Sequence, residues 1–270
     1  MEKLDIVDSD LIKQFGSFFD EYTTEIVIGV ILVIVLFYFL KEKNVIHLDK
    51  LFENNLSDKL FEQHFYINLE HRKDRNEDTI NKLKKIGINN PKRFNAIKHE
   101  IGIVGCAMSH IAVIEKAKKL NWDYVIVFED DLLINNEIDL LRKFEKYINY
   151  DFDVLYLGCW HREKPIKIED DLTKVVYAQC MHAYIVKKHY YDTILKNLYE
   201  GLNLKIKAGK DKHFKRQSEK YNNDVYIKSL QKKDKWYSIN PIHITQKDGW
   251  SDNFNEIRNL SNIIKHIPTE

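Results

Sequence analysis

The sequence predicts an α/β protein with a mostly parallel central sheet, preceded by a single N-terminal transmembrane helix. Three observations predict it. Apolar runs of strand length alternate with segments of helical spacing across most of the chain beyond residue 63. One of those runs, Val125-Ile126-Val127-Phe128, passes directly into Glu129-Asp130-Asp131. A strand buried on both faces reads this way, and its carboxyl end is where open α/β sheets place ligands. Finally, Ile26 to Leu40 (IVIGVILVIVLFYFL) contains no charged residue.

That apolar run of about 15 residues is short against the ~20 a span typically needs, and Tyr22 to Thr24 lengthen it. A secretory signal would carry a basic leading region and a small-residue cleavage site. Here the preceding residues are acidic and Phe37-Tyr38-Phe39-Leu40 is bulky, so the reading is an uncleaved single-pass membrane anchor, with a buried core helix as the alternative. Lys41, Lys43, Lys50 and Lys59 follow the run and only Lys3 and Lys13 precede it, which leans the C-terminal bulk toward the cytosol. The expected organisation is an N-terminal tail at 1–25, the anchor at 26–40, a charged stem at 41–62, the globular domain at 63–254 and a C-terminal tail at 255–270.

With 42 basic and 41 acidic residues, no net field draws the chain to nucleic acid. Cys106, Cys159 and Cys180 are three, widely spaced and outside any CxxC spacing, so they read as core thiols rather than a disulfide framework or a zinc site.

Along the domain, His64 to Leu69 reads as a first strand. Arg72 to Ile86 has helical spacing and stops at Gly87. Lys92 to Ile97 reads as a second strand. Ser109 to Leu120 reads as an amphipathic helix through Ile111, Ile114 and Ala117. After the acidic strand come a helix over about 137–147, a strand at Asp153 to Leu157 closed by Gly158, and strands at Val175 to Ala178 and Ala183 to Val186. A helix from Lys187 to Glu200 follows, capped by Gly201. Leu204 to Tyr221, rich in lysine, reads as a solvated loop or as a flap over a phosphorylated substrate.

Three adjacent carboxylates repel one another, and a cation or a set of donors offsets that repulsion. Their hard oxygens suit Mn²⁺ or Mg²⁺, which commonly share ligands with substrate phosphates. The other reading is an acidic first helical turn.

At these residues the chain resembles the family 25 glycosyltransferases, which include bacterial lipooligosaccharide and collagen galactosyltransferases. The resemblance runs in order from about Phe65 to Asn253. It comprises Tyr66-Ile67-Asn68-Leu69 with Arg72 and Arg75, Gly105-Cys106-Ala107-Met108-Ser109-His110, Glu129-Asp130-Asp131, Leu155-Tyr156-Leu157-Gly158, His182-Ala183-Tyr184, Asp224, and Pro241, Gln246 and Ser251-Asp252. The chain departs from the family's Gly-Glu-x-Gly-Cys pattern with Gly102-Ile103-Val104-Gly105-Cys106, and Asn253 replaces a commonly apolar residue.

The resemblance implies a GT-A-like nucleotide-sugar fold and an inverting, Mn²⁺- or Mg²⁺-dependent transfer. The hexose, galactose or glucose, would pass from a UDP-sugar to a glycan or a protein hydroxyl. Glu129 and Asp131 are assigned to the metal and Asp130 to the nucleotide ribose. Arg72 and Arg75 lie past the first strand's end, within reach of donor phosphates, and could equally form helix-surface ion pairs with Glu77 or Asp78. Asn68 and His110 are counted with them as donor contacts. Asp224 is the candidate base, with a helix cap as its alternative, and Glu163 stands behind it. Ser109 reads as a helix cap, and His243 as a possible further metal ligand or a solvent-facing strand residue. The rival readings are a metal-dependent phosphohydrolase, against which no Gly-rich phosphate loop is found, and a non-catalytic membrane-anchored binding protein.

Overall fold

The computed structural model describes residues 60–209 and 217–260, together with Gly29, Ile31 and Leu32. The expected N-terminal tail, anchor and nearly all of the stem lie outside the described residues, as do 210–216 of the basic segment and 261–270 of the tail. Among the described residues, no helix is long and apolar enough to cross a membrane.

The chain folds into an α/β layer whose elements run in order β1 (His64–Asn68), α1 (Lys73–Lys85), β2 (Arg93–Asn95), α2 (Gly102–Lys119), β3 (Tyr124–Glu129), β4 (Leu132–Ile134) and α3 (Glu137–Tyr147). β5 (Val154–His161), β6 (Ile166–Glu169), β7 (Leu172–Lys174), β8 (Ala178–Lys187) and α4 (Tyr191–Gly209) follow. The last are α5 (Asn223–Tyr226), α6 (Lys228–Lys233), β9 (Trp236–Ile239), β10 (Ile244–Gln246), β11 (Gly249–Ser251) and β12 (Glu256–Arg258).

Eight strands form one sheet in the order β2-β1-β3-β8-β5-β9-β7-β6. Its pairings are parallel for β1 with β2 and β3 and for β5 with β9, and antiparallel wherever β7 or β8 takes part. Six strands therefore point one way, but the sheet is mixed, because β8 is inserted in reverse between β3 and β5. β4 pairs with β10, and β11 with β12, as separate two-stranded sheets.

Period-two alternation in β3 explains the two-sided core. Val125 and Val127 pack with Val113, Ile114 and Tyr184 on one face, while Ile126 and Phe128 pack with Leu83, Phe144 and Leu132 on the other. Each such side chain stabilises the fold by about 1.5–3 kcal/mol on burial, and this anchoring fixes where the chain emerges as Glu129.

Four elements differ from the sequence reading. α2 starts at Gly102 rather than Ser109, so Ser109 is not a cap: mid-helix, its hydroxyl donates to the Gly105 carbonyl at 2.7 Å and accepts the Ile97 N–H at 2.8 Å. Glycine normally weakens a helix interior, but a Cβ on Gly105 would sit 2.4 Å from the Ile97 carbonyl oxygen, so close approach of the backbone requires it. α4 runs through Gly201 to Gly209, and Gly201 faces the Tyr226 ring instead of ending the helix. The strand expected at 175–178 is instead the turn between β7 and β8, with only Ala178 in a strand, whereas the one expected at 183–186 lies inside the ten-residue β8, whose pairing with β5 shifts register around Gly158. At the C-terminal end, β12 forms a hairpin where a tail was expected.

Two histidines are buried as neutral rings. Burial is the larger cause that lowers His64 to about 4, with Lys92 adding to it against the Phe61 carbonyl, and burial lowers His161 to about 4 as well. His64 bonds the Phe61 carbonyl through Nδ1 and accepts the Lys92 N–H on Nε2 at 2.9 Å, so a second ring proton would break that bond. Between pH 6.5 and 4 the unfolded chain takes up protons that these folded rings refuse, and their contribution to stability falls as pH falls. The effect is up to about 3 kcal/mol for each ring. Urea denaturation of wild type and His64→Gln from pH 7 to 4 checks this. The wild type should lose stability relative to the variant on acidification, and parallel curves would mean that the ring takes up its proton in the fold as readily as in the unfolded chain.

Candidate active site

The carboxyl ends of β1 and β3, the N-terminal half of α2, the start of β8, α5 and the β11–β12 hairpin enclose a cavity of about 700 Å³. Glu129, Asp130 and Asp131 line its floor, and His110, Cys106, Arg75, Asp224 and Gln246 line its walls. The acidic run thus lies at the mouth of a buried strand, and not in a helical first turn.

The three carboxylates have different partners. Asp130 accepts the Asn68 amide at 2.7 Å and Arg75 Nη1 at 2.8 Å, and its backbone carbonyl accepts Thr79 Oγ1 at 3.1 Å. Glu129 meets His110 Nε2 at 3.1 Å, and the other ring nitrogen of His110 meets the Tyr184 hydroxyl at 2.9 Å. Asp131 lies 3.6 Å from Arg75. Burial favours the neutral form of Glu129, but the hydrogen bond and charge of His110, then His182 and Arg75, outweigh it and hold Glu129 below its ordinary value. Burial and the neighbouring Glu129 charge push Asp131 up to about 7. One carboxylate is thus favoured as an anion and its neighbour is not, and a positive charge placed beside the pair would favour ionisation of both.

Gln246 completes this cluster. Its Nε2 lies 3.3 Å from Glu129 Oε2 and 3.3 Å from each Asp131 oxygen, while its Oε1 is buried without a partner. The register of β10 on β4 sets Gln246 opposite Leu132, and the Lys247 N–H donates to the Asp131 carbonyl at 2.7 Å. His182 Nε2 donates to the Ile244 carbonyl at 2.9 Å, fastening β10 to β8. This approach needs Gly158, because a Cβ there would lie 2.3 Å from Ile244 O and 2.4 Å from His182 Nε2.

Asp224 is the second residue of α5, which starts at Asn223 with Asn222 as its flanking residue. It is therefore not the helix cap. Its Oδ2 accepts the Cys180 N–H at 3.1 Å. Cys180 adopts φ 64°, a left-handed conformation that costs a non-glycine residue about 1–2 kcal/mol, and the β5–β8 register shifts lie beside it. Burial first, and then the Glu129 charge, raise the Asp224 carboxyl against that N–H.

Of the sequence-predicted residues, Glu129, Asp130, Asp131, Arg75, His110 and Asp224 meet at one cavity, whereas Asn68 and Arg72 do not line it. Asn68 sits behind Asp130, with its own oxygen held by Arg93 Nε at 2.9 Å. Arg72 bridges Asp252 at 2.5 Å and Asp74 at 2.8 Å, so it fastens the hairpin to α1 and pairs with neither Glu77 nor Asp78. His243 is buried against Asp139 at 2.5 Å, and Glu163 pairs with Lys228 at 2.7 Å; neither lines the cavity. Sequence reasoning assigned Gln246 no role, although it stands in the closing motif. Among the described residues, Cys106, His110 and Glu129 also bring one ligand atom each within 4.8 Å of one another. Burial first, then nearby carboxylates including Glu129, raise the Cys106 thiol well above its ordinary value. The oxygen-rich Glu129–Asp131 pair therefore fits a hard divalent cation better than this mixed set does.

A family model described as glycosyltransferase family 25 (LPS biosynthesis protein) matches residues 100–235, half of the chain. No curated protein sequence matches. Among solved structures the chain is similar to A197 from STIV, at 14% identity over 72% of this chain and 92% of that one, TM-score 0.43. It is also similar to a glycosyltransferase involved in glycosylation of the major capsid of PBCV-1, at 10% identity over 66% and 92%, TM-score 0.37. A third is a Drosophila β1,4-galactosyltransferase 7 mutant complexed with manganese, UDP-Gal and xylobiose, at 11% identity over 49% and 51%, TM-score 0.31.

Proposed function

The chain belongs to glycosyltransferase family 25 and is a glycosyltransferase, and from that premise we propose a metal-dependent inverting hexosyltransferase. In this reading a UDP-sugar, UDP-galactose or UDP-glucose, donates to a glycan or protein hydroxyl, and an anchor at residues 26–40 holds the enzyme at a membrane. The observation that carries the proposal is the convergence of Glu129 and Asp131, across one cavity from Asp224. Family membership sets the phosphohydrolase reading aside.

Glu129 and Asp131 would hold Mn²⁺ or Mg²⁺, and that cation supplies Lewis-acid charge to the leaving diphosphate. His110 orients Glu129 through a bond that Tyr184 fixes from behind. Arg75 and Asp130 face the nucleotide, while Asn68 acts through Asp130 and Arg72 through the Asp252 wall. Asp224 takes the acceptor hydroxyl's proton as that oxygen bonds to the sugar's anomeric carbon and the carbon–phosphate oxygen bond breaks, its electron pair leaving with the diphosphate. A raised carboxyl suits this task, because a base works best when its pKa approaches the working pH. Ile103, which lines the cavity where the resembling family has an acid, gives the acceptor side an apolar wall.

A panel of nucleotide sugars assayed with Mn²⁺ and with chelator tests the function. Release of nucleoside diphosphate from one uridine-linked hexose, abolished by chelation, is the expected result, and NMR of the product should show an inverted anomer. Release that persists under chelation would overturn the metal-dependent reading.

A further inference from the structure

We propose that Gln246 is a neutral third ligand of the divalent cation, presenting its amide oxygen to the vertex that its NH₂ group now occupies. The inference rests on the reading of Glu129 and Asp131 as the metal carboxylates, and it assigns a role to a residue outside that pair.

Geometry carries the argument. Mg²⁺ and similar small cations hold oxygen ligands at about 2.1 Å in an octahedron, so neighbouring ligand oxygens lie about 3 Å apart. The Gln246 amide nitrogen stands 3.3 Å from one Glu129 oxygen and 3.3 Å from both Asp131 oxygens. That is the edge of such an octahedron, drawn between groups from two strands that pair antiparallel. The amide's acceptor end is meanwhile buried without a partner, and the whole residue is 7% exposed. Turning the amide about its last torsion exchanges its two ends without moving the backbone. An oxygen then enters the vertex and gains an ion–dipole bond, which outweighs the exchange of one unpartnered end for the other.

The strand beneath it is held in place for this purpose. β10 is bonded on one side to β4 and on the other to His182, and Gly158 leaves room for both. A neutral ligand also suits the chemistry, since two carboxylates neutralise a divalent cation whereas a third would repel the incoming diphosphate.

Mn²⁺ binding to the protein without nucleotide, followed by the EPR signal of free Mn²⁺, tests the proposal on wild type, Gln246→Leu and Gln246→Glu. Ligation predicts that Gln246→Leu weakens Mn²⁺ binding by about tenfold or more, while Gln246→Glu, which keeps an oxygen at the vertex, binds as tightly as wild type or tighter. If Gln246 only neutralises the two carboxylates through its NH₂, it competes with the cation, and Gln246→Leu binds Mn²⁺ equally well or better. That result overturns the proposal. Should Gln246→Leu fail to fold by circular dichroism, Gln246→Glu decides alone, and weaker Mn²⁺ binding by it is equally fatal. Absence of Mn²⁺ binding in wild type itself overturns the parent reading and is visible before any variant is compared.

Discussion

Asp131→Asn should lower sugar transfer by about 10²-fold or more, the scale of losing one charged group that stabilises a developing charge. The same substitution should raise the stability of the metal-free protein at pH 8. Asp131 is buried beside the Glu129 carboxylate, which together push it up to about 7, so its charged form is disfavoured in the fold and free in the unfolded chain. Asparagine removes that charge and still accepts from Gln246, and a gain of about 2 kcal/mol is expected after allowance for relaxation. Thermal unfolding in chelator and a transfer assay in Mn²⁺ read the two effects on one preparation. A well-folded Asp131→Asn enzyme with near-normal turnover would remove Asp131 from the metal site.

The second large effect is at Asp224. Asp224→Asn should leave donor and Mn²⁺ binding nearly intact while transfer falls by about 10²–10⁴-fold, the range for a general base. Stability should hold or rise, because the asparagine side-chain oxygen can still accept the Cys180 N–H that Asp224 accepts at 3.1 Å, and the substitution removes a charge that burial and Glu129 disfavour. Three roles separate on this one variant. A base loses transfer alone, a metal ligand loses Mn²⁺ dependence and donor affinity together, and a purely structural acceptor loses neither. Single-turnover transfer alongside donor affinity distinguishes them.

How legible these features were in the sequence depended on the range of the interactions that form them. Val125 to Asp131 could be read because burial of a strand and its acidic exit are written in seven consecutive residues. The direction of β8 could not, since Ala183 to Val186 has the same apolar pattern whether the strand runs up or down. α2 starts earlier than its local pattern suggests because Gly102 and Gly105 signal a loop locally, and only distant backbone explains them: a Cβ would lie 2.4 Å from the Asp252 carbonyl oxygen at Gly102 and 2.4 Å from the Ile97 carbonyl oxygen at Gly105. Arg72 and Arg75 look alike in sequence, yet Arg72 is taken up by Asp252 and Asp74 while Arg75 reaches Asp130 and Asp131. Gln246 stood in the closing motif, but its meaning came from β10 lying against β4, a pairing that no local periodicity encodes.

That pairing also orders events in time. Glu129 and Gln246 are 117 positions apart, and the hairpin that Arg72 and Arg75 fasten lies later still. During synthesis the acidic strand leaves the ribosome long before the strand that flanks it. A nascent chain, or one clipped before Ile244, therefore carries the acidic run without a finished pocket around it. On the proposed assignment, catalytic competence arrives only with the last part of the domain, and a chain clipped before Ile244 is expected to be inactive toward nucleotide sugars.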